Sequence, residues 1–220
     1  MNEEIKIEES KDRERATLAL EVPVEPINIP LRVIVLQHPQ EPDKVLGTAA
    51  LLVRCLKNSR LKVGLSWRNL KAAAGEESAI PSQWGVLYMG SKGQDYSQEV
   101  NFCDPKGRPQ SGHQALKGII LIDGTWSQAK ALWWRNSWLT KVRRVVLQPK
   151  QTSLYGKLRK EPRKEAVSTI EAAALTLRDL GYPVPSELLN KKFAEMLDLY
   201  KERKKPAQHP AVNSNPVAKP

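Results

Sequence analysis

One short stretch constrains the fold more than any other. Gly118-Ile119-Ile120-Leu121-Ile122 runs without a break into Asp123-Gly124 and then into Thr125-Trp126-Ser127-Gln128. An unbroken apolar run of this length suits a strand buried on both faces, as happens when helices cover a parallel sheet. Thr125 followed by Gln128 has the form of a capping box, so a helix starts almost where the strand ends. Strand, tight turn and capped helix make up half of a βαβ unit.

The same alternation recurs along the chain. Leu31–Leu36, Leu61–Ser66, Trp84–Tyr88 and Val142–Leu147 are further strand-like runs, giving five strands whose order stays open. Between them, Leu46, Ala49, Ala50, Val53 and Leu56 fall at helical spacing over Val45–Leu56. Ser168-Thr169-Ile170-Glu171 forms a second capping box. The helix behind it carries Ile170, Ala173, Ala174, Leu177 and Leu180 on one stripe and stops at Gly181, with Pro183 beyond. Ser186 is read as the cap of a last helix through Tyr200. The expected class is α/β, a mainly parallel sheet with flanking helices. With 220 residues, one domain over 31–203 is expected. Residues 1–30, charged and then punctuated by Pro23, Pro26 and Pro30, read as a mobile lead-in, and 204–220 as a disordered, proline-rich tail.

Charge then narrows the partners. Lys and Arg number 35 against 24 for Asp and Glu, a net charge of +11. Such an excess suits a polyanion through phosphate neutralisation, with nucleic acid ahead of an acidic membrane surface; a solvated basic face is the plain alternative. Cys55 and Cys103 stand far apart with no C-x-x-C spacing, so neither a disulfide framework nor a cysteine-held metal is expected. No apolar run reaches the roughly 20 residues that span a bilayer, and the start lacks the pattern of a signal peptide. An intracellular, soluble protein is the expectation.

Three features carry chemistry. Asp123 lies at the carboxyl end of a strand, where open α/β sheets place ligand crevices; it serves there either as a functional carboxylate or as the turn residue before a helix. The helix that follows holds Trp126, Trp133, Trp134 and Trp138 among Lys130 and Arg135. Trp126 and Trp133 share a face with Ala129 and are expected in the core. Trp134 points elsewhere, to stack on an unpaired base or to serve an interface. A basic stretch, Lys141 to Lys164, contains Ser153 and Tyr155 and reads as a long loop at the same sheet edge as Asp123. The Ser168-Thr169 helix start offers N–H groups to an anion.

In this order the pieces resemble the DTW-domain proteins, the tRNA-uridine aminocarboxypropyltransferases related to the SPOUT class of S-adenosylmethionine (SAM)-dependent RNA methyltransferases. The family's Asp-x-Thr-Trp stands here as Asp123-Gly124-Thr125-Trp126, continued by Ser127-Gln128-Ala129-Lys130. Leu36-Gln37-His38-Pro39 with Glu41 is similar to its histidine-proline element, and Leu87-Tyr88 with Gly90 to its middle strand end. Ser153, Tyr155, Arg159-Lys160-Glu161-Pro162 and Ser168-Thr169-Ile170-Glu171-Ala172 match its last block. The resemblance spans roughly Leu31 to Gly181. Many members carry an amino-terminal cysteine cluster that looks zinc-binding, and this sequence has none.

The resemblance implies transfer of the 3-amino-3-carboxypropyl group of SAM to N3 of a tRNA uridine, releasing methylthioadenosine; the residues themselves lead to the expectation of no metal and of a cytoplasmic protein. The resemblance also implies a SPOUT-like knotted core. Asp123 would be the general base. Leu87, Gly90, Ser91, Thr125, Trp126, Leu147, Pro149, Ser168 and Thr169 would hold SAM; His38, Tyr155, Arg159, Lys160 and Arg163 would meet the RNA, with Trp126 or Tyr155 packing on adenine or the target base. SPOUT relatives are often dimers, and for this chain a monomer and a homodimer are both open. A SAM-dependent methyltransferase of similar fold and a non-catalytic RNA-binding protein are the alternatives.

Overall fold

In a computed structural model the chain is described over residues 17–41, 44–89, 96, 98–110, 116–158 and 167–204. The strands are β1 (Arg32–Gln37), β2 (Ser59–Val63), β3 (Trp84–Met89), β4 (Val100–Cys103), β5 (Gly118–Asp123) and β6 (Arg143–Leu147). The helices are α1 (Thr17–Glu21), α2 (Ala49–Cys55), α3 (Leu70–Ala74), α4 (Trp126–Arg135), α5 (Thr169–Asp179) and α6 (Pro183–Lys204). The strands form one sheet in the order β2-β1-β5-β3-β6-β4. Every pairing is parallel except that of β4 with β6.

Because side chains alternate across a strand, the unbroken apolar runs feed both faces. Val33, Val35, Ile119 and Leu121 join α2, α5 and α6 in one core, where Phe193 and Met196 are sealed. Ile34, Leu36, Trp84, Val86 and Ile120 join Leu70, Ala73, Ala74, Trp138 and Leu139 in a second. The result is three layers, with the parallel sheet in the middle. Across the β3–β5 contact Trp84 and Gly118 are register partners. A Cβ on Gly118 would lie 2.5 Å from the Trp84 ring, so only glycine lets the indole cover that part of the sheet.

The expected α/β class holds, with several local corrections. Among the described residues the sheet has six strands, not five; the extra one is β4, four residues long and antiparallel at the edge, too short to stand out as a period-2 run. The segment 17–30 is no lead-in: Leu18, Val22 and Ile29 are buried, and Ile27 exchanges backbone bonds with Cys55 and Lys57. Pro183 does not follow the α5 stop as a breaker but opens α6, since a missing N–H costs nothing at a first helical position. Ser186 therefore sits inside the first turn, 4 % exposed, rather than at the cap. Residues 205–220 lie outside the described residues.

The tryptophans are also redistributed. The buried side of α4 is Leu132; Trp126 is 43 % exposed and Trp133 only partly buried, against Tyr88 at a ring separation of 5.7 Å. The α4 helix stops at Arg135, so Trp138 belongs to the following tight turn, where it is buried. Both cysteines are free and buried. Burial pushes the Cys55 thiol up to about 11 and raises that of Cys103, and a protonated thiol is a poor nucleophile and metal ligand.

What ends α4 is Asn136, 1 % exposed. Its amide donates to the carbonyls of Leu132 (2.8 Å) and Leu65 (3.0 Å), and its oxygen accepts from Trp67 N–H (2.8 Å) and the Trp138 indole (3.3 Å). One side chain thus closes the helix and fastens it to the segment after β2. Asn136→Ala strands those buried groups, and we expect a loss of about 3 kcal/mol, lowering Tm by roughly 6–12 °C. Thermal unfolding beside the exposed-site control Arg135→Ala checks this, and equal midpoints would refute it.

Candidate active site at the carboxyl edge of the sheet

Asp123 closes β5 opposite Gln37, its register partner at the end of β1. Gln37, 4 % exposed, donates from Nε2 to Asp123 Oδ2 at 2.8 Å, and the Thr169 hydroxyl donates to Oδ1. The carboxylate is therefore held between a strand end and the first turn of α5 by neutral donors, and each oxygen keeps capacity for another bond. His38 N–H donates to the Asp123 carbonyl at 3.0 Å, continuing the β1–β5 ladder by one rung.

The turn behind Asp123 is compact. The expected capping box is present: Thr125 N–H donates to Gln128 Oε1 at 2.6 Å and Gln128 N–H to Thr125 Oγ1 at 3.4 Å. A Cβ on Gly124 would stand 3.0 Å from that of Gln128 and 3.5 Å from that of His38, so a side chain there would crowd the turn and push Gln128 aside. Gln128 also donates to Gln40 at 3.2 Å, tying this turn to the one after β1, where Gln40 N–H donates to His38 Nδ1 at 3.3 Å.

On the other side of β5 the sheet opens. The β3–β5 ladder ends at Val86 and Ile120, while β1–β5 continues to Asp123 and β3–β6 continues to Met89 and Leu147. Past Ile120 the two central strands part, with Leu121–Asp123 on one side and Leu87–Met89 on the other. Crevices of this kind at the carboxyl ends of strands are where α/β sheets take ligands. The loop after β6 borders this edge, with Leu147 and Pro149 buried. Glu99 pins it, its carbonyl accepting from Gln148 N–H (2.8 Å) and its carboxylate from Lys150 N–H (3.0 Å) and Arg178 (2.6 Å). A cleft of about 510 Å³ at the opposite, amino edge holds Glu76, already paired with Arg32 at 3.3 Å, and lies away from Asp123.

The structure brings Asp123, His38, Thr125 and Thr169 together, and sets Leu87, Leu147 and Pro149 at strand ends along the same edge. Trp126 follows at the first position of α4, exposed. Ser168 and Tyr155 take other places. Ser168 is 5 % exposed, and its N–H and hydroxyl both donate to Glu171, at 2.8 and 2.6 Å. The α5 start is not an open anion site, because Ile170 N–H goes to Thr48 and Glu171 N–H to Ser168, with the Glu171 carboxylate lying beside it. Tyr155 is 1 % exposed, edge-on to Phe193 at 4.9 Å, and donates to the Leu46 carbonyl. It anchors the loop instead of offering a face to a base. Gly90, Ser91, Arg159, Lys160 and Arg163 lie outside the described residues.

Two residues were not singled out from sequence. Gln37 is a polar residue ending an apolar strand, the same signal that marks Asp123. Glu171 was seen only as a cap, yet it also accepts from Ser153 Oγ and Leu154 N–H, both at 2.7 Å, so one carboxylate fixes the loop before α5 to the helix that carries Thr169. Glu171→Gln replaces an acceptor with a donor facing donors. We expect it to cost about 2 kcal/mol and to speed hydrogen exchange at the Leu154 amide; protection equal to the parent's would refute the clamp.

Comparison with known proteins points to one family. Residues 16–201 match the DTW domain. The chain is 32% identical over 156 residues to tRNA-uridine aminocarboxypropyltransferase 2 of Macaca fascicularis and to that of Mus musculus, covering 71% of this chain and 50% of each relative. It is 30% identical over 158 residues to the Drosophila melanogaster protein of that name, covering 71% of this chain and 59% of that one. The chain thus spans about half the length of the first two relatives. No solved structure matches it. A strand-end aspartate in the sequence Asp-Gly-Thr-Trp, bridged to a capped helix, and a match that runs almost from end to end agree: this chain belongs to the DTW domain family.

Proposed function

We propose that the chain transfers the 3-amino-3-carboxypropyl group of SAM to N3 of a uridine in tRNA, with methylthioadenosine as the leaving product. The observation that supports it most is the carboxylate of Asp123, held by Gln37 and Thr169 at the mouth of a strand-end crevice, in a chain whose relatives are named for that reaction. The crevice suits SAM: beyond Val86 and Ile120 the facing sides of β3 and β5 have no strand partner among the described residues, which leaves main-chain groups for a nucleoside beside apolar side chains. Leu87, Thr125, Trp126, Leu147, Pro149 and Thr169, together with Gly90 and Ser91, would hold it, largely through backbone groups. Contact through the Ser168 side chain is not part of the proposal, since Glu171 takes it. A SPOUT-like knotting of the loops after β3 and β6 belongs to the proposal, as does a cytoplasmic location.

When bound, SAM supplies a sulfonium with an electrophilic aminocarboxypropyl carbon. Uridine N3 attacks poorly until it loses its proton, and Asp123 takes that proton as general base. The N3–carbon bond forms as the carbon–sulfur bond breaks, and the electron pair leaves on the sulfur of methylthioadenosine. Gln37 and Thr169 fix the direction of the carboxylate, which is where positioning gains rate. His38 borders the same turn and would contact the RNA. Arg159, Lys160 and Arg163 would balance charge that spreads onto the uracil oxygens as the proton leaves, or neutralise phosphates.

Incubation with bulk tRNA and SAM carrying label in either the carboxyl or the methyl carbon tests the reaction. Carboxyl label alone in RNA is expected. Methyl label would make the chain a methyltransferase, and label in neither case would leave it an RNA-binding protein. Asp123→Asn should keep SAM and tRNA affinity and lose about 10²–10⁴ in turnover; unchanged turnover removes Asp123 as the base.

A further inference from the structure

The solvent side of α4 carries a stripe that neither core explains. Trp126, Lys130 and Trp134 recur every four residues and so share a face. Trp126 is 43 % and Trp134 73 % exposed, and Lys130 is exposed between them, while Leu132 faces inward. Neither Trp126 nor Trp134 belongs to a core cluster. Two large flat side chains held in water beside a cation suit something that offers flat faces and negative charge.

Charge says what that is. From Gly124 to Lys160 the sequence contains no acidic residue, while Lys130, Arg135, Lys141 and Lys150 stand in the same span. A second copy of the chain would bring a like-charged face in a molecule already at +11, which argues against self-association here. Unpaired nucleotides supply both bases to stack on and phosphates to pair with lysine, and aromatic side chains with interleaved cations are how single strands are held. α4 begins at Trp126, next to the turn that follows Asp123, and at 1.5 Å per residue Trp134 lies roughly 12 Å further along. The stripe therefore leads away from the crevice by the reach of a few nucleotides.

We propose that the Trp126-Lys130-Trp134 face of α4 is the platform for unpaired nucleotides flanking the target uridine, with Trp134 as its outer stacking residue. The proposal rests on the RNA-substrate reading given above, but its test separates from it. Trp134 is replaced by Ala, Leu and Phe, and binding of a fluorescein-labelled oligouridylate of ~10 nucleotides and of bulk tRNA is measured alongside Tm and the KM for SAM. Trp134→Ala and Trp134→Leu should weaken both RNAs at least about five-fold, Trp134→Phe should stay near the parent, and Tm and the KM for SAM should not move. Lys130→Ala should lower the salt slope of binding by about one.

RNA affinity unchanged in Trp134→Ala overturns the platform, and so does Leu serving as well as Phe, since that makes the contact apolar cover and not stacking. A concentration-dependent dimer lost in Trp134→Ala with RNA affinity intact also overturns it, assigning the face to a second copy. If the parent chain transfers nothing to tRNA yet shows the Trp134 dependence, the enzymatic proposal fails and the platform stands. If transfer proceeds in Trp134→Ala with an unaltered KM for tRNA, the platform fails alone.

Discussion

The architecture turns on the extension of the β1–β5 ladder to its last rung. Because Gln37 and Asp123 are register partners, the amide of one reaches the carboxylate of the other, and the Thr169 hydroxyl closes the bridge from the far side. Three segments distant in sequence are joined at one side chain. Where the central strands would next have paired on the β3 side, the ladder stops. A rigid wall on one side of β5 and an opening on the other follow from that asymmetry, and a parallel sheet with its helices on both faces leaves strand ends as the natural place for such an opening.

The two long-range clamps, Glu171 and Asn136, keep that edge in place by satisfying buried groups that would otherwise be costly. Each does more than cap a helix. Glu171 gathers Ser153, Leu154 and Ser168 around one carboxylate, and Asn136 joins the end of α4 to Leu65 and Trp67. The α5 start is consequently filled by the protein's own acid. An anionic ligand would meet a carboxylate there, so in the proposed function phosphate contacts are assigned to the basic segment and to α4 rather than to the start of α5.

Most of the sheet was legible because buried parallel strands are continuous apolar runs, and β1, β3, β5 and β6 fall within a residue or so of their expected bounds. Both capping boxes formed as their side chains require. What escaped was set by partners far away in sequence. Nothing in Val100-Asn101-Phe102-Cys103 marks a strand until β6 lies beside it, and the burial of Leu18 and Val22 follows from their packing with α2 and α6 rather than from local proline content. The core assignment of Trp126 failed for a related reason. Periodicity gives the face of a helix but not which face turns inward, and on α4 that is decided by Leu132.

The same short motif therefore works in opposite directions. Asp123 and Thr125 engage their polar groups in bonds within the protein, while the tryptophan that completes the motif is left half in water. A tryptophan kept only for stability would be expected to bury its ring, since burial of so large an apolar area is its main contribution. In the proposed platform, its exposure one helical turn from Lys130, on the strand-end side of the sheet where Asp123 is held, joins surface and crevice into one site. For the proposed transfer this continuity has a physical use: a base drawn out of its stack loses stacking energy, and aromatic faces placed along the approach return part of it before chemistry begins.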